Sequence, residues 1–205
     1  MKAAKDGTIP LRERNRLRTR NDILDAAAQL LSEKGYSETT LEELSQRAGL
    51  SRGTLYAHFP QGRDEIVQDV YLRIADAVYL RGVTLRDSAV DLVDRVTALA
   101  RALVEATSQP DGRFYGVMGA DIVPVLSGVM GGTSRSFEDL MQRDLRDAQA
   151  AGILPPSAPV DAIATALTGA IRAGGAAAAT DPTSAENHIE AVRIIAHGLL
   201  ATARV

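Results

Sequence analysis

The 205 residues are 45% hydrophobic but only 4% aromatic, with no tryptophan, so the chain is long enough for a small module plus one larger helical domain, with a core of Ala, Leu, Ile and Val. The absence of cysteine excludes a disulfide framework and any thiolate metal site. No apolar run approaches the ~18 to 20 residues of a membrane span and no signal-peptide stretch opens the chain, so a cytoplasmic protein with no membrane partner is expected. The net charge of −3 argues at first against a nucleic-acid partner, but Lys2, Lys5, Arg12, Arg14, Arg16, Arg18 and Arg20 precede a net acidic remainder beyond Arg63.

Residues 1–18 lack an apolar period and contain Gly7 and Pro10, which predicts a basic, flexible arm. Such an arm either tracks phosphates and enters a minor groove or is a solvated tail. Ile23, Leu24, Ala27, Leu30 and Leu31 follow helical spacing up to Gly35 and predict a supporting helix. Thr39 followed by Glu42 has capping-box spacing and starts a second helix near Thr40, with Leu41, Leu44 and Ala48 on its inner face. Gly49 suits the left-handed end of that helix, and Ser51 caps the next. In the third helix Leu55 and Phe59 point inward, leaving Arg52, Gly53, Thr54, Tyr56, Ala57 and His58 for the outer face and first turn. Two short helices joined through a glycine turn match a helix-turn-helix outline. A face of Arg, Thr, Tyr and His without Lys/Glu pairs suits phosphates and base edges.

After Phe59-Pro60-Gln61-Gly62, a helix from Arg63 to about Arg81 carries Ile66, Val67, Val70, Tyr71, Ile74 and Val78. Ser88 is expected to cap the next, with Val90, Val93, Val96, Leu99, Leu103 and Val104, ending near Ser108. The apolar stretch from Phe114 to Thr133 is interrupted by Gly116, Gly119, Pro124, Gly128, Gly131 and Gly132, which predicts a kinked segment with irregular space. Ser134 or Ser136 opens a helix through Phe137, Leu140, Met141 and Leu145 to Gly152. Val160, Ile163, Leu167 and Ile171 mark the penultimate helix, and Ile189, Val192, Ile195 and Leu199 the last.

The runs Ile23-Leu24-Asp25-Ala26-Ala27, Glu33-Lys34-Gly35-Tyr36, Thr39-Thr40, Ala48-Gly49-Leu50-Ser51 and Gly53-Thr54-Leu55-Tyr56-Ala57-His58-Phe59 together resemble the tetracycline-repressor (TetR) family over about residues 20–66. The rest matches only as an outline of helices. The resemblance implies an all-α fold. Following the basic arm over 1–18, it implies a three-helix DNA-binding domain over 19–65 and a larger helical domain over 66–205 that dimerises and commonly holds a small-molecule effector. It also makes Tyr56 and His58 a phosphate-contacting pair that positions the helix without reading sequence. Many relatives have a lysine six residues after the tyrosine; this chain has Gly62 there, and Arg63 is the replacement.

On these grounds the DNA-binding set is Thr40, Arg52, Gly53, Thr54, Tyr56, Ala57, His58 and Arg63, with Arg18 and Arg20. Arg52 reaches guanine or a phosphate, or else forms a surface ion pair; bidentate guanine contacts discriminate by ~1–3 kcal/mol. Thr54 and Ala57 meet thymine methyls or base edges, Gly53 permits close approach, and Thr40 offers a hydroxyl and backbone amides to a phosphate. Tyr56 is otherwise a half-buried packing residue.

Two recognition helices in successive major grooves lie ~34–36 Å apart, so a homodimer on double-stranded operator DNA is expected. Its interface is assigned to Leu167, Ile171, Gly174, Ile189, Val192, Ile195 and Leu199, unless these stripes merely close a monomeric core. A small apolar or amphipathic effector is expected to meet Tyr71, Phe114, Met118, Asp121, Ile122, Phe137, Met141 and Ile171, with Arg113 or Arg172 adding polarity. No cofactor, metal or catalytic residue is expected: His58, His188 and His197 are scattered, and no paired carboxylates, phosphate loop or nucleophile motif is present. The competing functions are a protein-interaction module of this fold without DNA binding and an all-α enzyme.

Overall fold

The computed structural model describes residues 10–201; Lys2, Lys5, Asp6 and Gly7 of the expected arm lie outside the described residues. Among the described residues every regular element is helical, in the order α1 (Leu11–Glu38), α2 (Leu41–Ala48), α3 (Arg52–His58), α4 (Arg63–Asp87), α5 (Leu92–Ser108), α6 (Arg113–Gly116), α7 (Val123–Leu126), α8 (Gly132–Ala150), α9 (Val160–Thr180), a 3-10 turn (Pro182–Ser184) and α10 (Ala185–Ala201). The fold is all-α, as expected.

Residues 11–18 correct the expected arm, because they are helical. Pro10 enters the first turn with φ −53°, and its carbonyl accepts from the amides of Glu13 (2.9 Å) and Arg14 (3.0 Å). Leu, Arg and Glu supply helix propensity. This stretch faces no core, leaving Leu11 and Leu17 exposed, so no apolar period marks it in the sequence. At its other end α1 breaks at Gly35 (φ 77°, ψ −177°).

Thr39 is buried and its hydroxyl donates to the Gly35 carbonyl at 2.7 Å. It closes α1, and the capping box consequently moves one residue on. The Thr40 hydroxyl accepts from the Glu43 amide (3.3 Å) while the Thr40 amide donates to the Glu43 carboxylate (3.1 Å). Ser88 likewise ends α4 rather than opening α5. Asp91 is the cap, accepting from the Asp94 amide at 2.8 Å, and Val90, expected on the apolar face, is exposed.

Two main cores are built. The first joins Ile23, Leu24, Leu30 and Leu31 of α1 with Leu44, Leu55 and Phe59, and with Ile66, Val67, Val70 and Tyr71 of α4. Phe114, Ile122 and Leu126 complete it, so the expected division at residue 65 does not separate the cores. The second gathers Val96, Leu99 and Leu103 of α5, Phe137, Met141 and Leu145 of α8, Leu167 and Ile171 of α9, and Val192 and Ala196 of α10. Ile74 and Tyr115 pack against both.

Helix α9 departs from the expectation drawn from run length. By length and composition alone its 21 residues, with a mean hydropathy of 1.2 over the most apolar window, suffice to cross a membrane. It is packed by α5, α8 and α10, and its apolarity comes from Ala and Gly interspersed with Arg172.

Candidate nucleic-acid interface and effector cavity

The turn between α2 and α3 is fixed by backbone chemistry. Gly49 takes φ 66°, ψ 30°, and the Leu50 amide returns to the Ser45 carbonyl at 3.0 Å. Ser51 caps α3 by accepting from the Thr54 amide at 3.1 Å. Leu55 and Phe59 are fully buried, which sets the rotation of α3. Arg52, Gly53, Tyr56 and Ala57 are exposed, with Thr54 and His58 half-buried beside them.

Helix α2 is held to α1 by two ion pairs. Arg47 meets Glu33 through two bonds of 3.0 and 2.7 Å, and Lys34 pairs with Glu43. Hydrogen bonding from Lys34 keeps the Glu43 carboxyl below its ordinary range, and bonding from Arg47 does the same for Glu33. Arg47 is thereby occupied.

Arg52 pairs with Glu42 at 2.6 Å, and both side chains are 62% exposed. Such a pair contributes little in water and is readily exchanged for another anion. Gly53 has no internal reason to lack a side chain: a methyl there would meet only the Ser51 Oγ, at an ordinary 3.7 Å. Tyr56 is 49% exposed, and its ring edge lies over Gly62, whose φ of 75° shapes the turn into α4. The packing and exposed readings of Tyr56 thus both hold. Among the described residues Nδ1 of His58 is buried without a partner, so contact with a ligand falls to Nε2. Thr40 is exposed, though its hydroxyl and amide are both engaged with Glu43.

Two arginines are placed differently from the expectation. Arg20 lies over the Phe59 ring (4.0 Å), donates to the His58 carbonyl (2.6 Å) and pairs with Asp69. It ties α1 to the end of α3 and to α4, whereas Arg18 remains exposed on α1. Arg63, the assigned substitute for the missing lysine, turns inward. Its guanidinium stacks on the Tyr36 ring at 4.0 Å and donates to the Thr39 carbonyl (3.3 Å) and the Tyr36 oxygen, with Asp64 at 3.5 Å. All three guanidinium nitrogens have partners, so Arg63 is a strut between α1 and α4.

In the larger core a cavity of about 520 Å³ opens between α4, α5, α8, α9 and the 113–131 segment. Tyr71, Met118, Phe137 and Ile171 of the expected set line it. Phe114, Ile122, Met141 and Asp121 do not. The first two belong to the N-terminal core, Met141 is enclosed in the bundle core, and Asp121 is exposed and accepts from the Ser37 hydroxyl. The broken segment thus has two faces, one toward the cavity and one toward the N-terminal core.

Sequence reasoning missed Leu103, Thr107, Tyr115, Met130, Thr133 and Thr168 in this lining. Tyr115 packs on Tyr71 (centroids 4.9 Å apart) and its hydroxyl bonds to the Thr133 hydroxyl at 3.0 Å. Burial pushes its pKa above the ordinary tyrosine value. Its place in a glycine-broken apolar run was the available clue; Thr168 gave none beyond its helical spacing to Ile171.

The expected dimer residues are mostly used inside the subunit. Leu167, Ile171, Gly174, Ile189 and Val192 are buried. A side chain at Gly174 would press on His188 at 3.2 Å, so this glycine brings α10 onto α9 within one chain. Leu199 is half-buried, and only Ile195 is exposed, with Ile194 beside it. The outward stripes are Ala162, Ala166, Gly169 and Ala173 on α9 and Ala191, Ile194, Ile195 and Gly198 on α10.

Comparison with known proteins agrees with this geometry. Residues 23–70 match the model of bacterial regulatory proteins of the tetR family. The chain is similar to the HTH-type transcriptional repressor KstR2 of Mycolicibacterium smegmatis, 29% identical over 87 residues, covering 42% of each chain. It is also similar to the HTH-type transcriptional regulator AlkX of Mycobacterium tuberculosis, 33% identical over 127 residues, covering 59% of this chain and 53% of that one. The chain thus spans about half the length of these curated relatives. A solved TetR-family regulator from Rhodococcus sp. shares the fold with TM-score 0.77 at 18% identity, covering 89% of this chain and 99% of that one. The helix-turn-helix region thus matches the tetR-family model, and the chain shares the fold of a solved regulator of that family.

Proposed function

We propose that the protein is a sequence-specific DNA-binding regulator of transcription. In this reading it acts as a cytoplasmic homodimer on double-stranded operator DNA, a repressor released when a small apolar or amphipathic molecule fills the 520 Å³ cavity. The observation that carries the reading is the outer face of α3: Arg52, Gly53, Tyr56 and Ala57 are exposed, and among the described residues Arg52 is held only by an exposed carboxylate.

In a major groove Arg52 exchanges Glu42 for guanine or a phosphate, and Thr54 and Ala57 lie against base edges. Tyr56, His58 and Thr40 position the helix on phosphates, and the exposed Arg12, Arg14, Arg16 and Arg18 of α1 add positive charge. Arg20 and Arg63 act indirectly, by holding α3 and α4 on α1. Pairing through the Ala/Gly and isoleucine stripes of α9 and α10 presents α3 twice.

Release requires a ligand that binds better to a subunit geometry with the wrong spacing of recognition helices. Two elements reach from cavity to DNA module: α4 through Tyr71, and the 113–131 segment, whose Tyr115 faces the cavity while Phe114 is in the N-terminal core. Selection of bound fragments from the source genome, followed by mobility shifts with the purified full chain, tests the reading. A sequence-selective, salt-sensitive shift by a dimer is expected; a lone subunit, or indifference to every duplex at modest salt, would reject it.

A further inference from the structure

The polar groups in the cavity wall are unequal. The Thr107 hydroxyl bonds to the Leu103 (3.1 Å) and Val104 (3.2 Å) carbonyls, the Tyr115 hydroxyl to Thr133, and the Tyr71 oxygen accepts from the Gly131 amide at 3.3 Å. Thr168 differs. It is only 7% exposed, and among the described residues its hydroxyl is buried with no partner, not even a helix carbonyl. A buried hydroxyl left unpaired is disfavoured, which makes it a receptive point for a ligand atom.

One turn further along α9, on the same face, stands Arg172. It is the one charged residue of the described lining, and it forms no ion pair with a described carboxylate. The rest of the lining is Leu, Ile, Met, Phe, Tyr, Ala, Gly and hydroxyl side chains. Resting on the reading of this cavity as the effector site, we propose that the effector is an apolar monocarboxylate whose head group is held between the Arg172 guanidinium and the Thr168 hydroxyl.

Charge decides among the alternatives. A cationic ligand would meet a cation and no acid. A polyphosphate head would find one guanidinium where several positive groups are needed, and a neutral oxygen can satisfy the hydroxyl but leaves the guanidinium charge uncompensated. A planar carboxylate matches the guanidinium fork and has a second lone pair for a hydroxyl donor. The apolar walls then take the hydrocarbon body.

Calorimetric titration of the full-length protein with decanoate, decan-1-ol and decyltrimethylammonium tests this, because the three share a chain and differ in head-group charge. Decanoate is expected to bind about tenfold more tightly than the alcohol, with no binding of the cation. Arg172→Gln, at an exposed position, is expected to reduce acid and alcohol to equal affinity, and Thr168→Val to weaken the acid selectively. Equal binding of acid and alcohol by the unaltered protein, or an acid preference surviving Arg172→Gln, overturns the carboxylate assignment while leaving the cavity an effector site. Failure of all three probes to bind overturns both.

Discussion

On the helix-turn-helix surface Arg52 meets Glu42 with both side chains 62% exposed, whereas in the bundle Asp144, its side chain 1% exposed, accepts from Arg86 (2.7 and 2.6 Å) and from Arg95 (2.9 Å). The same chemistry does opposite work in the two regions. In water the first pair is nearly neutral in free energy and leaves its arginine available to another anion. The second clamps α4, α5 and α8 together, and loss of one member strands charge in a site that water enters poorly.

The largest effect should come from breaking the buried side of this comparison. Asp144→Ala is expected to cost about 3 to 5 kcal/mol, lowering the melting temperature by roughly 10 °C for a chain of this size. Glu42→Gln in the same calorimetric scan should leave the melting temperature unchanged. Equal shifts for the two variants would show that burial does not separate the pairs.

Next in size is recognition itself. Arg52→Ala should cost about 1 to 3 kcal/mol of operator affinity and relax specificity at one position, with stability unaltered, in mobility shifts against operator variants. Arg63→Ala should do the reverse. Because its guanidinium is spent on Tyr36, Thr39 and Asp64, the variant should lower the melting temperature while the intact fraction keeps its sequence preference. A full-strength Arg63→Ala fold that binds all duplexes weakly would instead make Arg63 a phosphate contact.

Gly53→Ala sharpens the contrast further. A methyl there meets nothing closer than 3.7 Å within the subunit, and alanine is the better helix former by up to about 1 kcal/mol. Denaturant unfolding should therefore show a slight gain in stability, while in the proposed reading operator affinity falls because the methyl would stand between α3 and the DNA. Unchanged affinity would mean that α3 does not approach so closely at this turn.

The two regions also differ in how far they were legible. Gly49, Ser51, Leu55 and Phe59 act within a few residues of one another, so cap, turn and inward face could be read along the chain. One failure there has a local cause, Thr39 spending its hydroxyl on Gly35 and so moving the capping box to Thr40; the other does not, because Arg63 is captured by Tyr36, 27 residues away. In the bundle, helical spacing revealed which residues were apolar but not what each would meet. Leu167, Ile171 and Val192 have the spacing of an interface stripe and are consumed by their own core. The cavity assembles Leu103, Tyr115, Thr133 and Thr168 from four separated segments, and no pattern along the chain encodes that meeting. Arg86, Arg95 and Asp144 escaped notice for the same reason.

The smallest expected effect concerns pH, and it probes the buried region through tyrosine. Burial raises the Tyr115 pKa, so the folded protein retains a phenolic proton that the unfolded chain releases near the ordinary value of ~10. The sign follows: Tyr115's contribution to stability is fully present below that value and is lost as pH rises from it toward the folded pKa. Tyr115→Phe removes this proton linkage along with the bond to Thr133, so the variant should start less stable and then lose less stability per pH unit above pH ~10 than the unaltered protein. Parallel alkaline profiles for the unaltered protein and Tyr115→Phe would mean that the cavity wall admits water freely enough for Tyr115 to ionise in place.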